Sequence, residues 1–296
     1  MSGTIMPLQF TLCDVFADRL FSGNQLAVFH NGTGVPDWAM AGLAGEFGWS
    51  EITFVLPRAG DIPSVRIWTP SGELPFAGHP VIGTAVVLAA GGMLDGEVEA
   101  LELRIGRVDV SVTEINRAGG SATMMQRAPK FGAILEDRAR LAAALSLEEE
   151  DLASGLESQI VSTGTDHLMV PVRSMAALAK ARAVVDLLSA VLREVGARKA
   201  YLFTVDTPDT NAAARARLLS AGAEDAATGS AAGSLGAYLV RYGLHRSGTL
   251  DIEQGMGIGR PSRISVDVPL QRRVIGPVSV SGTVRIWGQG SVEVAV

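Results

Sequence analysis

The chain has 296 residues, 47% of them hydrophobic and 19% charged, enough apolar material for two cores of roughly 150 residues each and too much for a disordered chain. Its 25 Lys and Arg against 31 Asp and Glu leave a net charge of -6. No segment concentrates basic side chains, so neither nucleic acid nor an anionic membrane is expected as a partner.

Taken in chain order, the opening MSGTIMPLQFTLCDVF has no basic segment followed by an apolar run, and no secretory signal is expected. Cys13 is the single cysteine; it forbids an internal disulfide, fits a cytoplasmic setting and reads as a buried structural residue. SGNQLAVF from Ser22 begins with a polar turn at Asn24 and continues with strand spacing. Residues 36–47 predict an amphipathic helix through Trp38, Leu43 and Phe47. In WSEITFV, Glu51 begins a strand-like apolar run, where apolar neighbours would raise a carboxylate's proton affinity and suit it to acid/base work. Without family context the ordinary reading of such a glutamate is a solvated side chain or the partner of a nearby cation.

Strand-like runs follow at 65–68, 108–112, 199–205, 263–268, 278–280 and 284–287, and helical ones at 135–144 and 186–195. The longest uncharged apolar stretches, 80–94 and 226–240, are too short and too rich in Gly, Ser or Thr to span a bilayer; they read as buried helices. Pro80 suits the first position of its helix, with His79 near the N-cap. GMGIG at 255–259 is followed by Pro261 and a strand-like run instead of a helix, which rules out a dinucleotide loop. The four histidines, His30, His79, His167 and His245, have no metal-ligand spacing, and no metal site is expected.

The chain also repeats itself. At an offset of 151 positions, RIWTPSGELPFAGHPVIGTAVVL from Arg66 lies over RLLSAGAEDAATGSAAGSLGAYL from Arg217, matching Arg66 with Arg217, Glu73 with Glu224 and Gly78 with Gly229. At a slightly different offset SGNQLAVF resembles GTDHLMVP from Gly164, with Asp166 in the place of Asn24. Ser230 then occupies the place of His79, and Ser is a strong N-cap type. Asp225 stands just before the second glycine turn, where an acid favours the helix dipole. Two glycine-led helix N-termini at a seam between similar halves would hold a small carboxylate-bearing molecule through unpaired backbone N–H groups. The expected fold class is α+β, with antiparallel strands around an apolar helix in each half.

At these residues the chain resembles the phenazine-biosynthesis (PhzF-like) isomerase family over nearly its full length. DVFADRLFSGNQLAVF, WSEITFV, ELPFAGHPVIGTA, EDAATGSAAG and QGMGIGRPS appear in the family's order. The resemblance implies a diaminopimelate epimerase-like fold of two pseudo-symmetric half-domains, residues 1–127 and 128–296, with the last strand returning to the first half. It also implies a homodimer and catalysis with neither metal nor organic cofactor.

By motif, Glu51 matches the general acid/base of the family, His79, Asp225 and Ser230 match residues that bond the substrate and assist proton movement, and Gly78 and Gly229 match the backbone donors. Ala77 and Thr228 stand where diaminopimelate epimerase has paired cysteines, which excludes thiol-based epimerisation. Gln25, Ala226, and Leu219 with Ala221 depart from the family pattern and bear on substrate choice. The reading is an isomerase that moves a proton between carbons of a small carboxylate. A racemase or dehydratase with Asp225 as second acid/base, and a non-catalytic carboxylate-binding protein, are the alternatives.

Overall fold

The computed structural model describes residues 5–59, 62–94, 99–220 and 224–295; Ala221, one of the departures above, lies outside them. Two compact units emerge, Met1–Met125 with Ser281–Val296, and Gln126–Val280.

The first unit contains β1 Ile5–Val15, β2 Asn24–Phe29, α1 Asp37–Phe47, β3 Ile52–Ala59, β4 Ile62–Thr69, β5 Gly72–Leu74, α2 Gly78–Ala90, β6 Glu99–Leu103, β7 Gly106–Asn116 and β8 Gly119–Met125. Its strands lie in the order β1-β2-β3-β4-β6-β7-β8. The second unit contains β9 Lys130–Ile134, α3 Arg138–Ala144, β10 Gln159–Ser162, β11 Asp166–Pro171, α4 Met175–Lys180, α5 Val185–Val195, β12 Lys199–Thr204, β13 Ala214–Leu219, α6 Gly229–Arg241, β14 Gly248–Gln254 and β15 Ser262–Val268. A two-stranded ribbon of β16 Leu270–Gln271 and β17 Val274–Ile275 follows. The chain ends in β18 Ser279–Ala295, which beyond Ser281 belongs to the first unit and pairs with both β8 and β1, closing that unit's sheet on itself.

The helix α2 packs against β1, β2, β3, β7 and β8, and every residue from Gly78 to Leu88 is buried. A helix apolar all round has no wet face to offer, so the sheet wraps it. In the second unit α6 holds the matching place against β10, β11 and β15 and is buried from Ala231 to Val240. Between them, these helices account for the two apolar stretches of the sequence. Among the described residues no helix is long and apolar enough to cross a membrane.

The two units repeat one strand pattern. Neighbours β1-β2-β3-β4-β6-β7 pair antiparallel, parallel, antiparallel, parallel, antiparallel, and β10-β11-β12-β13-β14-β15 do the same. The β4–β5 pairing of Ile67 with Leu74 recurs as a bridge between Leu218 and Asp225, at the same offset of 151. The sheets are therefore mixed, with parallel neighbours beside the antiparallel ones that were expected. A parallel neighbour requires a crossover, and here the crossovers carry the helices: α1 and then α2 in the first unit, α4 with α5 and then α6 in the second.

Three local expectations need correction. Trp38 is solvent-exposed, and α1 instead buries Ala39, Met40 and Ala44 on a cluster that includes Phe29 and Phe54, with Leu43 and Phe47 at its margin. Both central helices begin two residues earlier than expected, with Ala77 and Thr228 as N-caps, so Pro80 and the residue matching it lie inside the first turn. Proline is tolerated there because first-turn N–H groups have no intrahelical acceptor. Finally, 278–280 and 284–287 lie in one continuous stretch ending in β18; Gly282 does not break the strand but lets it pass against the ring of Phe16, which a Cβ would strike.

Candidate active site

Glu51 stands directly before β3, and His79 is the second residue of α2. The β2 to β3 crossover returns the chain to the end of the sheet where α2 starts, which brings the two side chains together. Glu51 Oε2 lies 3.7 Å from His79 Nε2, and the side chains are only 13% and 4% exposed. At that separation they form no hydrogen bond, and both atoms are buried with no hydrogen-bond partner among the described residues. Buried polar atoms are almost always paired, so a facing pair of unmatched ones is a candidate place for a third group to bind.

The other side of His79 is held. Asn24 Nδ2 lies 3.2 Å from His79 Nδ1, and Ser50 Oγ donates to Asn24 Oδ1 at 3.3 Å. An amide nitrogen only donates, so Nδ1 accepts, and the ring proton sits on Nε2, toward Glu51. Neither Asn24 nor Ser50 stood out in the sequence as site residues, although each sits inside a quoted motif.

In the second unit Asp225, Gly229 and Ser230 cluster around the start of α6. Thr228, the N-cap, does not cap its own helix with its side chain; its hydroxyl donates to Asp225 Oδ2 at 2.6 Å. Gln254, wholly buried, fixes this turn with every polar group it has. Its Nε2 donates to Asp225 O at 2.9 Å and Thr228 Oγ1 at 3.1 Å, and its Oε1 accepts from Thr228 N at 3.1 Å and the Tyr201 hydroxyl at 2.8 Å. Burial pushes the Tyr201 pKa far up, so the phenol stays a neutral donor. The glycine loop completes the frame: Gly255 has φ 80°, and a Cβ there would collide with the carbonyls of Arg260 and Ala226, so QGMGIGRPS braces the turn carrying Asp225.

Ser230, second in α6, meets His167 Nε2 at 3.1 Å. The repeat had placed Asp166 over Asn24, but Asp166 is exposed whereas Asn24 and His167 are buried against their respective helices. A one-residue slip turns a strand's side chains to the opposite face, which is why His167 escaped notice. The N-cap Ala77 offers no side chain to α2, and Gly78 and Gly229 open their helices, so the first-turn N–H groups at both helix starts are not capped by their N-cap residues.

The family model described as phenazine biosynthesis-like protein matches residues 13–290. The trans-2,3-dihydro-3-hydroxyanthranilate isomerase of Pseudomonas fluorescens is 33% identical, with 96% of this chain and 98% of that one aligned. The structure of a predicted epimerase from Pseudomonas aeruginosa is 36% identical at a TM-score of 0.85, covering 96% of this chain and 99% of its own. The diaminopimelate epimerase-like fold recurs in a hydroxyproline epimerase from Agrobacterium vitis, at TM-score 0.68 and 14% identity over 100% of this chain and 93% of that one, a likeness of fold alone. With two pseudo-symmetric halves, a buried helix in each, and isomerases among its full-length relatives, the chain is an isomerase and belongs to the phenazine biosynthesis-like protein family.

Proposed function

We propose that the enzyme moves a proton between carbons of a small carboxylate-bearing metabolite, with Glu51 as the general acid/base. The observation that supports this most is the buried, unmatched pair of Glu51 Oε2 and His79 Nε2 at 3.7 Å. A substrate C–H presented to that gap gives its proton to the Glu51 carboxylate, and His79, its Nε2 proton directed by Asn24, donates to the charge that develops. Glu51 then returns the proton to another carbon. The first-turn N–H groups at the helix starts, Gly78 and Gly229, and the Ser230 hydroxyl are donors of the kind that hold a substrate anion.

The name of the Pseudomonas fluorescens relative supplies a first assay compound, trans-2,3-dihydro-3-hydroxyanthranilate. In deuterated solvent the wild-type enzyme is expected to incorporate deuterium into the product at carbon, and Glu51→Gln to bind the compound and exchange nothing. Full exchange by that variant would remove Glu51 from the mechanism. Asp225, held by Thr228 and Gln254, keeps a two-carboxylate racemase or dehydratase course open as the second reading. Inverted stereochemistry or loss of water in the product would select it. The protein is further proposed to act in the cytoplasm as a homodimer; a molar mass by light scattering of twice that of one chain is the expected result for the dimer.

A further inference from the structure

Each half clamps the second residue of its central helix with a side chain from the strand beside it: Asn24 on His79 in the first, His167 on Ser230 in the second. The first clamp sets a proton position, and the second invites the same question. We propose that His167 is a positioning residue whose Nε2–H donates to Ser230 Oγ, so that the Ser230 hydroxyl keeps its own proton to give to the anionic group of the substrate. The inference rests on the reading of Ser230 as a substrate-binding residue.

His167 is 3% exposed, and its Nδ1 is buried with no hydrogen-bond partner among the described residues. Burial pushes its pKa down to about 3, with the nearby cations Lys199 and Arg198 adding to the effect, so the ring is neutral and one nitrogen holds the single proton. A proton on Nδ1 would leave a buried N–H without an acceptor in a field already positive, and Nε2 would draw the hydroxyl proton of Ser230 toward itself. Ser230 would then show only lone pairs to an incoming carboxylate. A proton on Nε2 removes both costs: the Nδ1 lone pair lies in the positive field, and the hydroxyl turns outward as a donor.

The rest of the neighbourhood is already committed and competes for neither group. Ser234 donates to the backbone carbonyl of Ser230 at 3.2 Å, Thr163 donates to Gln126 Oε1 at 2.6 Å, and Gln126 Nε2 donates to the carbonyl of Gly229 at 3.0 Å. Lys199 adds a charge of the right sign. Register identifies it as the counterpart of Glu51: Thr53 pairs with Ile67 and Tyr201 with Leu218, Ile67 and Leu218 are 151 apart, and Glu51 and Lys199 each stand two residues upstream. The proton-transferring acid of the first half is thus replaced in the second by a cation, as suits an anion-receiving end.

The full-length chain labelled with nitrogen-15 at histidine tests the ring directly. Its spectrum should show His167 neutral and protonated at Nε2 from pH 5 to 8, with that resonance shifted in Ser230→Ala. A proton on Nδ1, or a ring that charges within the range, overturns the inference. With trans-2,3-dihydro-3-hydroxyanthranilate as probe, His167→Leu and Ser230→Ala should each raise KM roughly tenfold with little change in kcat, the double variant no further, and His167→Gln should recover most of the loss. Multiplying effects in the double variant also overturn it. If the wild-type enzyme neither binds nor converts the probe, the substrate reading is what fails, and the proton position at His167 still decides this inference.

Discussion

Arg66 holds Glu73 through two hydrogen bonds of 2.8 and 2.9 Å, and 151 residues later Arg217 holds Glu224 through two of 2.9 and 2.6 Å. These pairs mark the same place in two halves of one strand order, yet the strand start nearby carries Glu51 in the first and Lys199 in the second. The arginine and glutamate brace the turn before the central helix in both halves, a scaffold common to the two. The strand starts and second helix residues differ: Glu51 and His79 in the first half, Lys199 and Ser230 in the second. The difference separates residues that build the halves from residues that use them.

The sharpest break in the comparison is Glu51→Gln, which removes proton transfer from the first half and should lower turnover by about 100- to 10,000-fold. Lys199→Met should instead weaken binding of the probe while leaving proton exchange in place; kinetics of the two variants side by side would show whether the halves divide the work.

The scaffold pairs should also be unequal. Arg217 is 12% exposed and donates additionally to the carbonyls of Leu178 and Ala181, and its partner Glu224 is 11% exposed. Arg217→Ala leaves a buried carboxylate and the end of α4 without their donor and should cost about 3 kcal/mol in denaturant unfolding.

Acid titration probes the second clamp. The unfolded His167 titrates near 6.5 and the folded one near 3, so the unfolded chain binds more protons between these values and stability falls as pH drops through that window. His167→Leu should flatten this part of the curve by something on the order of 5 kcal/mol, measured as the difference from wild type. Arg66→Ala is expected to have the smallest effect, about 1 kcal/mol, because Arg66 spends its remaining bond on the exposed Asp37 and Glu73 retains Arg104 at 3.5 Å.

Much of this was legible in the chain. The offset of 151 identified both turns and both buried helices, and the paired arginine and glutamate that kept register outside the Ala-rich stretch are ion-paired in each half. Trp38 misled because an exposed indole carries the same hydrophobic weight in a pattern as a buried one. The parallel neighbours were invisible because local periodicity does not state which strand lies alongside which.

By itself the sequence determined what local chemistry dictates: helices apolar on every side, glycines at their starts, strands of alternating burial, and a glutamate at the head of one. Only the tertiary structure decided which side chains meet. That Asn24 holds the back of His79, that Gln254 spends three hydrogen bonds on the Asp225 turn, and that His167 faces Ser230 all depend on contacts between residues from 26 to 63 positions apart. Such pairings are set by strand register and helix placement, and a shift of one residue in register would have turned each of these groups to the other face.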